Sequence, residues 1–231
     1  PDFGVFIVAD GMGGHSHGER ASAIATRVVT TQMINGIYLP LLQGDNINDA
    51  DRPTIAETLI QAVKDANEKI LDTMIGTDEQ TGTTVTALVV IDNWAHLAHV
   101  GDSRAYLISH NNDGGSIEQI TRDHSLVQRL IELGQLEPEE AEEHPKRNVL
   151  YRAVGQHEEL EVDTLSRRLQ PGNYVLLCSD GLWGLIDETD LKDTIINTPD
   201  PQEACEKLIA LANASGGNDN ITAIILKIPG S

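Results

Sequence analysis

Positive charge is scarce in this 231-residue chain: Lys and Arg total 16 against 36 Asp and Glu, a formal net charge of −20. A field of that sign repels phosphate backbones and anionic headgroups, which argues against sequence-independent nucleic-acid binding and against adsorption to membranes. Cysteine is scarcer still. Cys178 lies in an apolar strand pattern and Cys205 in a helical one, so no disulfide framework is expected, and a reducing, cytoplasmic compartment is. Aromatic residues make up only 3%, and no apolar run approaches the ~20 residues of a membrane span. No basic-then-apolar leader opens the chain, and a soluble protein is the expectation. The 40% of hydrophobic residues suffices for one core burying roughly 70% of the unfolded surface, so a single domain over 1–231 is expected.

Six short runs rich in β-branched or aliphatic residues and bounded by Gly, Asp or Asn read as strands: 3–9, 83–91, 95–100, 104–108, 173–178 and 221–228. The tight spacing at Asp92-Asn93-Trp94 and the turn-rich SHNNDGGS predict antiparallel hairpins. Helical spacing gathers Ala21, Ile24, Ala25, Val28 and Val29 on one face of 18–35, and Ile55, Leu59, Ala62, Val63, Ala66 and Ile70 on one face of 54–75. Further helices are expected near 125–133, 138–143, 188–197 and 201–214. Helices fall between groups of hairpins, which favours antiparallel α+β layering over a doubly wound parallel sheet. The segment GDNINDADRP, 44–53, reads as a surface loop.

Aspartates recur where apolar runs stop. VADGMGGH ends on Asp10-Gly11, HVGDSRAY carries Asp102, VLLCSDG ends on Asp180-Gly181, and GGNDN with Asp219 precedes the last strand. Any one Asp-Gly after a strand is usually only a turn. Were packing to bring all four together, carboxylates some 5 Å apart would repel by roughly 3 kcal/mol per pair at an effective dielectric near 20. The four segments contain no Lys and only Arg104, so a cation from outside the chain is required. Carboxylate and carbonyl oxygens suit Mg²⁺ or Mn²⁺, whereas zinc calls for His or Cys groupings. The one close histidine pair in an apolar run, His96 and His99, points to opposite strand faces and reads as packing or surface residues. Gly11 is read as admitting a backbone carbonyl to the ion, and Gly13-Gly14 as the turn into the first helix.

VADGMGGH, TGTT at 81–84, HVGDSRAY, LLCSDGLW and GGNDNIT, in this order and spacing, resemble the bacterial branch of the metal-dependent protein phosphatases, the PPM or type 2C family. The resemblance spans essentially the whole chain. It implies a four-layer α-β-β-α sandwich of two antiparallel sheets flanked by helices, with two to three Mn²⁺ or Mg²⁺ ions in a cleft at one end. It also implies hydrolysis of phosphoserine and phosphothreonine in proteins by water held between two metals, a chemistry that needs no covalent intermediate. Carried over by motif, Asp10 bridges two metals, Gly11 offers its carbonyl oxygen, Asp180 and Asp219 bind the first metal, and Asp102 joins Asp180 at a third, weaker one. His15 is the candidate general acid, because Met12 stands where eukaryotic members have histidine. Residues 123–155 resemble the family's flap, where Arg147 and Arg152 are candidates to meet a phosphopeptide, though ion pairing within so acidic a segment is the commoner role.

The resemblance further implies a cytoplasmic monomer acting on phosphorylated proteins opposite a Ser/Thr kinase, with neither nucleic acid nor membrane as partner. The resemblance also implies a first strand carrying a phosphate-gripping arginine and acids for the second metal, and residues upstream of Pro1 are expected to supply it. Three other phosphoryl chemistries find no support. Cys178 has Gly184 where a C-x5-R loop needs arginine, Asp49-Ala50-Asp51 follows a polar loop rather than a strand, and no G-x-x-x-x-G-K-[ST] motif occurs. The competing class is a catalytically weak or silent module of the same fold that binds or regulates phosphoproteins.

Overall fold

The computed structural model describes residues 3–13, 15–44, 52–73, 81–110, 114–141 and 144–229. Asp49-Ala50-Asp51, most of the expected loop at 44–53, and the end of the helix expected at 138–143 lie outside the described residues.

In chain order the first half comprises β1 (Phe3–Val8), β2 (Gly11–Met12), α1 (His15–Met33), a π-helical turn (Ile34–Tyr38), α2 (Leu39–Leu42), α3 (Ile55–Thr73), β3 (Gly82–Thr83), β4 (Val85–Ile91) and β5 (Trp94–Val100). The second half comprises β6 (Arg104–Ser109), β7 (Ser116–Gln119), α4 (Leu126–Glu132), α5 (Pro138–Ala141), β8 (Asp163–Arg168), β9 (Tyr174–Cys178), α6 (Asp180–Trp183), α7 (Glu188–Asn197), α8 (Pro201–Ala214) and β10 (Ala223–Lys227). One antiparallel sheet runs β1-β4-β5-β8 and another β10-β9-β6-β7, with β2-β3 as a small ribbon.

Three apolar clusters define four layers. Val85, Ala87, Val89 and Ile91 of β4 pack with Ala25 and Val29 of α1 and with Leu59, Val63 and Ile70 of α3. Leu88 faces the other way, joining Val175 and Leu177 of β9 between the sheets. Tyr174, Leu176 and Cys178 take the third cluster, against Leu191, Ile195 and Leu208 of α7 and α8. The period of two in each strand therefore assigns alternate residues to alternate cores, which is why runs covered on both faces read as unbroken apolar stretches. Capping fixes the helix starts: Thr54 and Glu57 exchange bonds ahead of α3, with Thr54 N–H to Glu57 Oε2 at 2.7 Å, while Asp187 and Asp200 accept from Asp190 and Glu203, each at 2.9 Å.

The short α2, α6 and β2-β3 ribbon go beyond the sequence expectation, and two longer elements depart from it. The region expected as one helix, 18–35, begins at His15 and continues through a π-helical turn, and 163–168, expected as no element, forms the edge strand β8. Both cysteines are free and buried. No helix among the described residues is long and apolar enough to cross a membrane.

Candidate functional site

Antiparallel topology brings the aspartates to one end. β1 ends, β4 begins and β5 ends at the same edge of the first sheet, since Val8 pairs with Thr86 and Val85 with Val100. In the second sheet Cys178 pairs with both Ala223 and Arg104, so β9 ends where β10 and β6 begin. Gly101-Asp102-Ser103 is the short bridge between the sheets and holds the two edges together.

Side chains and backbone then fix each loop. Thr84 N–H donates to the Asp10 carbonyl at 2.8 Å, and Asp10 N–H donates to Thr84 Oγ1 at 2.9 Å. Thr84 Oγ1 also pairs with Ser103 Oγ at 2.7 Å, which ties the Asp10 turn to the Asp102 bridge. Ser179 Oγ donates to the Asn220 carbonyl at 3.2 Å and accepts from Thr222 N–H at 3.0 Å, drawing the Asp219 loop beside Asp180. The glycines after two of the aspartates are required by close approach. A Cβ on Gly11 would lie 2.0 Å from the Gly18 carbonyl oxygen, and one on Gly181 would lie 2.3 Å from that of Asn220. Gly11 thus seats the loop on the first turn of α1, a packing need that stands beside the ion access expected of its carbonyl.

The carboxyl groups share one field. Burial, followed by the Asp180 charge, a side-chain hydrogen bond to Asp180 and the Asp219 charge, pushes Asp10 up to about 7. Burial and then the charges of Asp180, Asp123 and Asp10 push Asp102 up to about 7. Asp180 is raised too, mainly by burial, although the bond from Asp10 works against the rise. Asp10 and Asp180 therefore titrate as a pair, both held above the ordinary carboxylate range by burial and by neighbouring negative charge. Among the described residues, the side-chain charges that act most strongly on these three acids are all carboxylates. Among the described residues no three His, Cys, Asp or Glu side chains meet in a finished ligand cage; the acids share a field rather than a common point.

The donor set fits a hard divalent cation. Asp180 Oδ1 is buried without a hydrogen-bond partner, an unsatisfied acceptor whose natural complement is positive charge. Sequence reading found Asp10, Asp102, Asp180 and Asp219 but missed Asp123, which follows β7 by only a few residues and adds to the field on Asp102. It also missed Thr84 and Ser103, whose short hydroxyls carry no charge signal.

The remaining candidates sit elsewhere. His15 opens α1, and its side chain lies outside the described residues. Arg152 binds Asp163 Oδ1 at 2.7 Å and Glu161 Oε2 at 2.8 Å, the ion-pairing role the acidic flap favoured. Arg147 is exposed on the turn after α5. A cavity of about 920 Å³, walled in part by Lys64, Arg122, His124, Tyr151, Arg152 and Asp163, contains none of Asp10, Asp102, Asp180 or Asp219. His99 is buried and His96 half-buried, as alternate strand faces require. Burial pushes the Cys178 thiol up to about 12, which removes it as a nucleophile near neutral pH.

The model of the family Protein phosphatase 2C matches residues 2–214. Protein phosphatase PhpP of Streptococcus pneumoniae is 37% identical over 227 residues, covering 97% of this chain and 85% of that protein. Serine/threonine phosphatase stp of Listeria monocytogenes is 35% identical over 224 residues, 96% of this chain and 84% of that protein. Among solved structures, the Mycobacterium tuberculosis serine/threonine phosphatase PstP/Ppp superposes with TM-score 0.82 at 32% identity, over 97% of this chain and 88% of that one. The catalytic domain of PstP in complex with two manganese ions superposes with TM-score 0.77 at 32% identity, over 96% of this chain and 86% of that one. Fold, motif order and these likenesses agree: the chain belongs to the protein phosphatase 2C family.

Proposed function

We propose that this protein hydrolyses phosphoserine and phosphothreonine in other proteins, at the acidic cluster loaded with two to three Mn²⁺ or Mg²⁺ ions. Asp10, Asp180 and Asp219 with the Gly11 carbonyl would hold the principal ions, and Asp102 with Asp180 a further one. Ions so held would lower the pKa of a bound water enough to yield a nucleophile near neutral pH and would offset charge on the phosphoryl oxygens. The protein's own part is preorganisation. Thr84 fixes Asp10 by its backbone, and Ser179 brings Asp219 toward Asp180, so the acids are gathered before a cation binds. His15, at the start of α1, is the proposed donor to the leaving hydroxyl, and Arg147 is the flap cation offered to a phosphopeptide alongside Arg152. Free, buried Cys178 and Cys205 support a reducing cytoplasmic setting, where a monomer would work opposite a Ser/Thr kinase.

The observation that carries this reading is the buried, unpartnered Oδ1 of Asp180, set in a field shared with Asp10 and Asp219. The test is hydrolysis of p-nitrophenyl phosphate and of a phosphothreonine peptide, with and without Mn²⁺. Metal-dependent turnover of both is expected. Metal binding without turnover of either would overturn the reading and leave the silent phosphoprotein-binding module.

A further inference from the structure

Asp123 and His124, at the root of the flap, grip the Asp102 bridge from two sides. His124 is 1% exposed. Its backbone N–H donates to the Gly101 carbonyl at 2.7 Å, and Gly101 N–H donates back to the ring Nδ1 at 3.0 Å. One residue thus holds both polar groups of Gly101, whose φ of +111° leaves it in a region where a side chain would be strained. Because Nδ1 accepts, the neutral ring carries its proton on Nε2, which lies 3.2 Å from Asp163 Oδ2 and donates to it. Arg152 Nη1, 3.0 Å from the same Nε2, is a second donor rather than a partner, and both converge on Asp163.

On the other side, Asp123 receives Arg104, with Nε at 3.0 Å and Nη2 at 2.8 Å from Oδ2. The Arg104 guanidinium lies 3.5 Å above the Trp183 ring, and Trp183 Nε1–H donates to the Asp102 carbonyl at 3.0 Å. The Gly101 peptide is therefore held directly by His124, while the Asp102 carbonyl is held by Trp183, whose ring lies under the Asp123-bound guanidinium of Arg104.

We propose that His124 is a positioning residue: it clamps the Gly101 peptide, anchors its own ring on Asp163, and so presets the Asp102 carboxylate for a cation. This rests on the assignment of Asp102 as a metal ligand. A ligand on a short bridge would otherwise lose conformational freedom at the moment of binding, and removing the partner that orients a ligand commonly weakens metal binding about 10–100-fold.

Isosteres of the ring separate its two links. Asn places an amide oxygen near the Nδ1 position and can still accept from Gly101, whereas Gln reaches toward Asp163 and leaves the Gly101 N–H unmatched. Phe keeps a ring beside His99, whose centroid lies 5.0 Å away in a tilted arrangement, and removes both ring links. The experiment titrates the full chain with Mn²⁺ by calorimetry and follows hydrogen exchange at the Gly101 amide. His124→Phe and His124→Gln are expected to weaken the weakest Mn²⁺ site about 10–100-fold and to speed Gly101 exchange, with His124→Asn staying near the parent protein. Parent-like Mn²⁺ affinity and exchange in His124→Phe, or His124→Asn no better than His124→Gln, would overturn the proposal. Should His124→Phe fail to fold, the Asn and Gln pair still decides. Loss of the weakest site in Asp102→Asn supports the ligand assignment. An unchanged titration in that variant would overturn that assignment, and Gly101 exchange in the His124 variants would still report whether the clamp exists.

Discussion

Asp123 and Asp102 are neighbours in space with nearly equal burial, 4% and 8% exposed, yet the chain treats them oppositely. Asp123 receives the fork of Arg104 and, at 2.9 Å, the amide of Gln119. Among the described residues no cation pairs with Asp102; burial and the charges of Asp180, Asp123 and Asp10 push its carboxyl up to about 7. Where a buried charge serves only structure, this acidic protein spends one of its few arginines on it. Where the charges belong to the site, it leaves them unbalanced, an arrangement tolerable only if they hold protons or a cation from outside.

Removing a member of each class is the way to break that comparison. Asp180→Asn should cost the largest effect, a loss of metal-dependent turnover on the order of 10³-fold, about 4 kcal/mol, with an unchanged circular-dichroism spectrum. Retained turnover would show that Asp180 holds no ion. Arg104→Met strands Asp123 without its partner and should destabilise the fold by about 3–5 kcal/mol in urea unfolding. An unchanged midpoint would mean that Asp123 needs no internal partner and that the contrast with Asp102 is empty.

Asp102→Asn should act in the opposite direction on the metal-free protein. Its folded pKa lies above the value of 3.8 for an exposed aspartate, so the native state binds more protons than the unfolded state between about pH 4 and 7, and stability contributed by this group falls as pH rises through that window. Deleting the charge should therefore stabilise the metal-free chain at pH 8 by on the order of 2–4 kcal/mol, with the gap closing toward pH 4. A variant less stable than the parent at pH 8 would refute the unbalanced charge.

The same contrast explains what was legible in the sequence. Strands covered on both faces, such as Tyr174–Cys178, announce themselves as continuous apolar runs, and the aspartates at their ends are visible because a charge interrupts each run. β8 is hidden because an edge strand exposes every second residue: in Asp163–Arg168 only Leu165 joins an apolar cluster, and the remainder reads as loop. The π-helical turn leaves no mark because Ile34 and Ile37 continue the apolar spacing of α1. The paired class is harder to read than the unpaired. Asp123 and His124 act through Arg104 and Gly101, some twenty positions earlier, and only sheet pairing makes those contacts.

The most direct test is calorimetric titration of the protein with Mn²⁺ from pH 5.5 to 8, in buffers of differing ionisation enthalpy. If a dication replaces the protons held by Asp10 and Asp102, binding should release protons below about pH 7 and weaken steadily as the pH is lowered. Binding that neither releases protons nor depends on pH, or no binding at all, would contradict the account.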